Sequence, residues 1–259
     1  MRMINLLFVL LVNAVPLVGV RYYGWSAATI VVLYWCENLM NVFFTCARIA
    51  LHRKLTHKRG HWRGGQLGTK VNNKPSTAGL LGEFAVTSVI FTLAHGIFVF
   101  AFTAIAASNH PDDPLWAVSR PQLLQGLQWM AALMAVEFLI DALTIRTRSF
   151  AWIKAYVGQR MGRVIIMHLT IIFGMGAMML TESPFAVLYV LIGLKALSDL
   201  FASNASAKAV DLPAQPPAWA LRIAASQKGI SQEDVKADWA CSREAMIRAA
   251  KEDEEVMPG

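Results

Sequence analysis

Ionisable and amide side chains recur inside stretches that are otherwise apolar enough to sit in lipid. Glu37 and Asn38 stand midway through LYWCENLMNVFF, with Asn41 one turn on. His95 lies in VIFTLAHGIFVF, Glu137 and Asp141 in LMAVEFLIDAL, His168 in RVIIMHLTII, and Lys195 with Asp199 in VLIGLKALSDLF. A charged group at a bilayer centre costs about 2.5–3.5 kcal/mol even on lenient insertion scales, so each is a functional-site candidate by default.

Spacing organises these groups. Glu37 with Asn41, Glu137 with Asp141, and Lys195 with Asp199 are each i, i+4 pairs that share a helix face. Two adjacent carboxylates repel unless a cation, a proton or a base lies between them, so Glu137 and Asp141 need a neutralising neighbour. Lys195 and Asp199 can neutralise each other within one helix. Counted along a helix from the basic ends of the spans, Glu37, Asn38 and His95 fall in a deep layer, about 20 Å in. Glu137, Asp141, His168, Lys195 and Asp199 form a shallower one. Carboxylate and imidazole without thiolate suit Zn, Fe or Mn, so a divalent ion is the candidate cofactor, with Glu37, His95 and His168 as its candidate ligands. The same mixture suits a proton relay. Three functional readings follow. One is a cation or proton pathway with Lys195 as counter-charge. Another is a metal-dependent intramembrane enzyme acting on a lipid or quinone. The third is a structural or assembly subunit of a membrane complex.

The elements that must hold these residues follow from composition. Of 259 residues, 56% are hydrophobic and 16% charged, against about 45–50% and 25% in soluble domains. The apolar excess lies in blocks of about 18–28 residues, the length that crosses ~30 Å of hydrocarbon. Core helices of soluble proteins average only about 11–12 residues, which argues against a soluble all-α fold. The expected fold is therefore all-α: a polytopic membrane bundle of six helices over 4–20, 25–51, 79–107, 122–145, 163–181 and 184–203. The first segment lacks a small-residue cleavage site and reads as a retained anchor, followed by the interfacial aromatics Tyr22, Tyr23 and Trp25. Lys and Arg concentrate in the 52–78 and 146–162 connectors, with Arg48 and Arg163 at their edges. By the positive-inside rule both termini face the cytoplasm, and the expected location is a bacterial inner membrane.

Residues 1–205 form the expected membrane domain. Residues 206–259 form a proline-rich linker and an amphipathic tail, expected as short helices over 219–225 and 231–251. Ser231 and Asp234 provide an N-terminal cap, and EDEE near the end reads as a solvated run. The tail is a candidate surface for a protein partner. Membrane lipids are expected partners, with anionic headgroups at the 52–78 loop. His52, His57 and His61 sit there among too many cations to bind metal well, and Glu83 reads as an exposed first-turn acid. The net charge of +7 is explained by these loops and not by nucleic acid. Cys36, Cys46 and Cys241 give no disulfide framework or zinc pair. Metalloprotease, hydrolase-elbow and phosphate-loop motifs are absent.

Tyr34-Trp35-Cys36-Glu37-Asn38, Ala94-His95-Gly96-Ile97-Phe98, and Lys195 with Asp199 occur in this order. In these the chain resembles a bacterial integral-membrane family defined only as a domain of unknown function, with a Y-W-x-E-N signature. The resemblance covers about residues 25–203. It implies a membrane protein whose polar residues act together, and it implies no particular activity.

Overall fold

Local signals set the ends of four successive helices: α1 (Arg2–Tyr23), α2 (Ala27–Thr56), α3 (Leu80–Asn109) and α4 (Arg120–Thr144). The computed structural model describes residues 2–68, 70–71, 74–75, 77–162, 193, 215–218, 221 and 231–257. The four helices coincide with the first four expected spans. Apart from Gly193, the spans expected over 163–181 and 184–203 lie outside the described residues, and so do His168, Lys195 and Asp199.

Gly24 makes the α1–α2 turn with φ +60°, a conformation that suits glycine. Ser26 then caps α2 by accepting from the Thr29 backbone N–H at 3.1 Å. Its own hydroxyl donates to the Ala117 carbonyl at 2.7 Å, and Ser119 N–H donates to Thr29 Oγ1 at 2.9 Å. These bonds pin the α1–α2 turn to the α3–α4 connector at one end of the bundle. Pro121 occupies the first turn of α4, where its missing N–H costs nothing.

Among the described residues, α2 packs between α3 and α4, and α1 packs on α4. Two apolar clusters hold the ends. Val15, Trp25, Ile30, Leu33, Tyr34 and Met130 fill the end near the Ser26 cap. Ile49, Leu80, Phe84, Phe150, Ile153 and Val157 fill the basic end. Outside these clusters, α3 exposes Val86, Ile90, Leu93, Ile97 and Ile105, a stripe at helical spacing. A helix facing water would carry polar groups there. Ala27–Thr56, Leu80–Asn109 and Arg120–Thr147 are long and apolar enough to cross a membrane.

The basic end differs from its sequence reading. Residues 146–162 were expected as a connector, yet a 3-10 turn (Ile145–Thr147) leads into a helix over 150–162. Ser149 starts it by accepting from Trp152 N–H at 3.1 Å. Phe150, Ile153 and Val157, at i, i+3 and i+7, are buried on its inner face. The 52–78 connector holds a short turn (Arg59–His61) and a two-residue hairpin, Lys70–Val71 with Lys74–Pro75. The C-terminal helix (Gln232–Glu254) is opened by the expected Ser231–Asp234 capping box. Most of the helix expected over 219–225 lies outside the described residues.

Candidate functional site

One face of α2 carries a polar column. Glu37, Asn41, Thr45, Arg48, His52 and Thr56 follow one another every three or four residues, spanning about 28 Å at 1.5 Å per residue. Glu37, Thr45, Arg48 and His52 are buried, Arg48 to 1% exposure and Glu37 to 4%. Neighbouring helices supply the partners.

Arg48 is the hub. Its Nε donates to Asp141 Oδ2 at 2.8 Å, and its Nη2 lies 3.7 Å from Glu137 Oε2. Glu137 is shared, because Arg160 Nη2 approaches its other oxygen at 3.3 Å. Arg160 Nη1 also donates to Asn41 Oδ1 at 2.7 Å, and Asn41 Nδ2 reaches Glu37 Oε1 at 3.5 Å. Glu37, Asn41, Arg160, Glu137, Arg48 and Asp141 therefore form one connected chain across α2, α4 and the 150–162 helix. The ring of Tyr156 lies 5.3 Å from the Arg48 guanidinium and 4.9 Å from that of Arg160, within cation–π range of both. Among the described residues, Tyr156 Oη and Thr45 Oγ1 are buried beside this chain without hydrogen-bond partners.

The i, i+4 pairing of Glu137 with Asp141 thus acquires the cation it needs, and that cation is Arg48. The sequence reading placed Arg48 at a loop edge and Arg160 inside a connector, as topology determinants only. Both belong to this buried charge network. The signal was available for Arg48, which follows Glu37 by eleven residues, three helical turns, on the same face.

The deep layer is organised differently. Asn38 Nδ2 donates to Thr92 Oγ1 at 3.0 Å, and Trp35 Nε1 donates to the Thr92 carbonyl at 2.9 Å. A β-carbon on Gly96 would meet Trp35 Nε1 at 2.8 Å, so the glycine admits the indole and lets α3 approach α2. His95 is buried, and its Nδ1 donates to the Phe91 carbonyl of its own helix at 2.7 Å. That bond commits one ring nitrogen locally. Among the described residues, no group of three or more His, Cys, Asp or Glu is arranged to hold a metal ion. The proposed ligand trio of Glu37, His95 and His168 therefore gains no support from its two described members, and His168 lies outside the description.

At the basic end, His52 and His61 are both buried and share a hydrogen bond, Nδ1 to Nε2, at 2.6 Å. His52 Nε2 donates to the Arg148 carbonyl at 3.2 Å. A neutral His52 then accepts at Nδ1 from His61 Nε2–H, leaving His61 Nδ1 as a buried lone pair. Burial, reinforced by the neighbouring His52, which competes for the same proton, and by the cations Arg53 and Lys58, lowers the His61 pKa to about 3. These histidines pack the base of the loop and are not scattered among solvated cations.

Two acidic expectations are corrected. Glu83 is 3% exposed, not a solvated first-turn acid. Its carboxylate accepts the backbone N–H groups of Gly65 and Leu67, the second at 2.9 Å, and so closes the basic loop. The terminal acidic run is docked on the basic loop, with Asp253 buried while Glu252 and Glu255 stay partly exposed. Glu254 pairs with Lys58 and accepts from Ala151 N–H at 3.0 Å. Burial alone would raise the Glu254 pKa, but the Lys58 ammonium and the Ala151 and Phe150 backbone N–H groups outweigh it and hold the pKa below the ordinary carboxylate value.

A family of unknown function (DUF6498) matches residues 1–217. No curated protein and no solved structure matches the chain. The match bears out a family of unknown function and carries no activity with it; it spans more than the 25–203 segment and takes in α1.

Proposed function

We propose a function for this chain, which belongs to that family of unknown function, from its buried charges. It is a multi-pass membrane protein that handles a proton or a small cation at the site built by α2, α4 and the 150–162 helix. The observation that supports this is the connected chain from Glu37 to Asp141, with links of 3.5, 2.7, 3.3, 3.7 and 2.8 Å. It joins the deep layer to the basic end within the membrane-crossing part of α2. Ionisable groups in such positions are expensive and belong to ion or proton pathways.

The roles follow from charge. Glu37, Glu137 and Asp141 are the exchangeable groups, and Arg48 and Arg160 are fixed counter-charges. A proton or cation arriving at Glu137 weakens its hold on both guanidiniums at once, because each approaches a different oxygen. Thr45 Oγ1 and Tyr156 Oη offer buried polar atoms where a proton-carrying water would bind. Lys195, Asp199 and His168 are proposed to complete the site from the last two spans. The basic end faces the cytoplasm of a bacterial inner membrane.

Reconstitution into liposomes tests this reading. The protein should dissipate an imposed pH or cation gradient, and a divalent chelator should leave the flux unchanged. Absence of any ion flux would overturn the ion-handling reading, and loss of flux in chelator would favour a metal-dependent one.

A further inference from the structure

The terminal acidic run sits on the basic loop as a specific clamp. Lys58 pairs with Glu254, Arg59 Nη1 with Glu255 at 3.1 Å, and Arg63 Nη1 with Glu252 at 3.3 Å and Asp253 at 3.4 Å. Gln66 Nε2 donates to Asp253 at 3.1 Å. The backbone joins in, with Lys58 bridged to Val256, Arg59 N–H on the Glu255 carbonyl at 2.8 Å and Met257 N–H on the His57 carbonyl at 2.9 Å.

The clamped loop is itself suited to another anion. It lies where α2 leaves its span. Lys54, Leu55 and Trp62 are exposed, the Trp62 ring is stacked on His57, and the Arg53 guanidinium lies 5.9 Å from it. Cations beside an exposed indole and a leucine form the mixture that settles at the headgroup level of a bilayer. Two of the clamp's cations, Arg59 and Arg63, are 56% and 43% exposed. Exposed pairs are weak and screened by salt, so a dense anionic surface can compete for them. Each basic residue at such a surface gains about fivefold in binding.

We propose that the 252–257 segment is an intramolecular stand-in for anionic phospholipid, occupying the basic loop until an anionic leaflet displaces it. The displaced tail exposes the loop to lipid and frees the C-terminal helix. This rests on the membrane reading above and is independent of any ion flux.

The test is backbone amide exchange at Arg59 and Met257 in the full chain. It is carried out in nanodiscs of phosphatidylcholine alone and of phosphatidylcholine with phosphatidylglycerol. Displacement predicts exchange roughly tenfold or more faster in the anionic discs, the release expected when two or more cations change partner. Arg59→Gln/Arg63→Gln should exchange fast in both discs, with little dependence on lipid. Equal rates for the native chain in the two discs would overturn the proposal. So would a lipid dependence that persists unchanged in the double variant. Failure of the chain to enter either disc would overturn the membrane reading and this inference together.

Discussion

Replacing Arg48 probes the network at its hub. Arg48→Met removes a guanidinium that is 1% exposed and leaves Asp141 and Glu137 on adjacent turns of α4, where, among the described residues, Arg160 alone still faces Glu137. At an effective dielectric of about 20, unit charges ~4 Å apart interact by roughly 4 kcal/mol. Removing one partner of a buried ion pair costs about 3–5 kcal/mol, because the other charge stays behind. For a chain of this size that is roughly a 10 °C fall in the unfolding midpoint, at about 2–4 °C per kcal/mol. Asp141→Leu should be destabilising for the same reason, since the buried Arg48 loses its 2.8 Å partner and keeps only the longer 3.7 Å approach to Glu137 among the described residues. The double variant Arg48→Met/Asp141→Leu strands neither, and apolar replacement of a buried pair is often close to neutral. Detergent-titrated unfolding of the four proteins gives the coupling directly. The reasoning is refuted if either single variant stays within about 1 kcal/mol of the native chain, or if the double variant is no more stable than Arg48→Met.

Other elements yield sharper local outcomes. Glu83→Ala strips the acceptor from the Gly65 and Leu67 amides and should cost about 1–3 kcal/mol, read as faster proteolysis of the 58–68 loop. Gly96→Ala pushes a methyl group against Trp35 and should cost about 1–3 kcal/mol in midpoint measurements. His61 is held neutral when folded, with a pKa of about 3 against an ordinary 6.5, so the unfolded chain binds the extra proton between those values. The stability this contributes is complete above about pH 6.5 and is lost as pH falls toward 3, at up to about 1.4 kcal/mol per pH unit. A pH 7 to pH 5 comparison should show roughly 2 kcal/mol of loss from His61, and His61→Gln should reduce the pH dependence, with the part due to His52, whose pKa burial also lowers, remaining.

The long apolar spans were legible because length and hydropathy depend on no partner. Burial of Glu37 and the shared faces of Glu37 with Asn41 and Glu137 with Asp141 were legible from position and spacing alone. What escaped was the identity of the counter-charges. An arginine near a helix end reads the same whether it snorkels to water or turns inward, and only packing against Phe138 and Tyr156 decides that for Arg48. Glu83 escaped because its partners are backbone amides, which leave no trace in side-chain patterning. The buried His52–His61 bond depends on the loop returning nine residues later, and the docking of the acidic run bridges nearly two hundred residues. Neither relation has a local signature. The 150–162 helix did have one, in the spacing of Phe150, Ile153 and Val157, but the basic residues around it dominated the reading.

The central claim is that the Glu37-to-Asp141 chain carries a proton or cation. Its most direct test is ion flux through liposomes containing the native chain, Glu37→Gln or Glu137→Gln, each checked for an unchanged unfolding midpoint. The account predicts flux in the native protein and its loss in both variants, since each removes an exchangeable carboxylate while keeping the side-chain shape. Full flux in correctly folded Glu37→Gln and Glu137→Gln would contradict it.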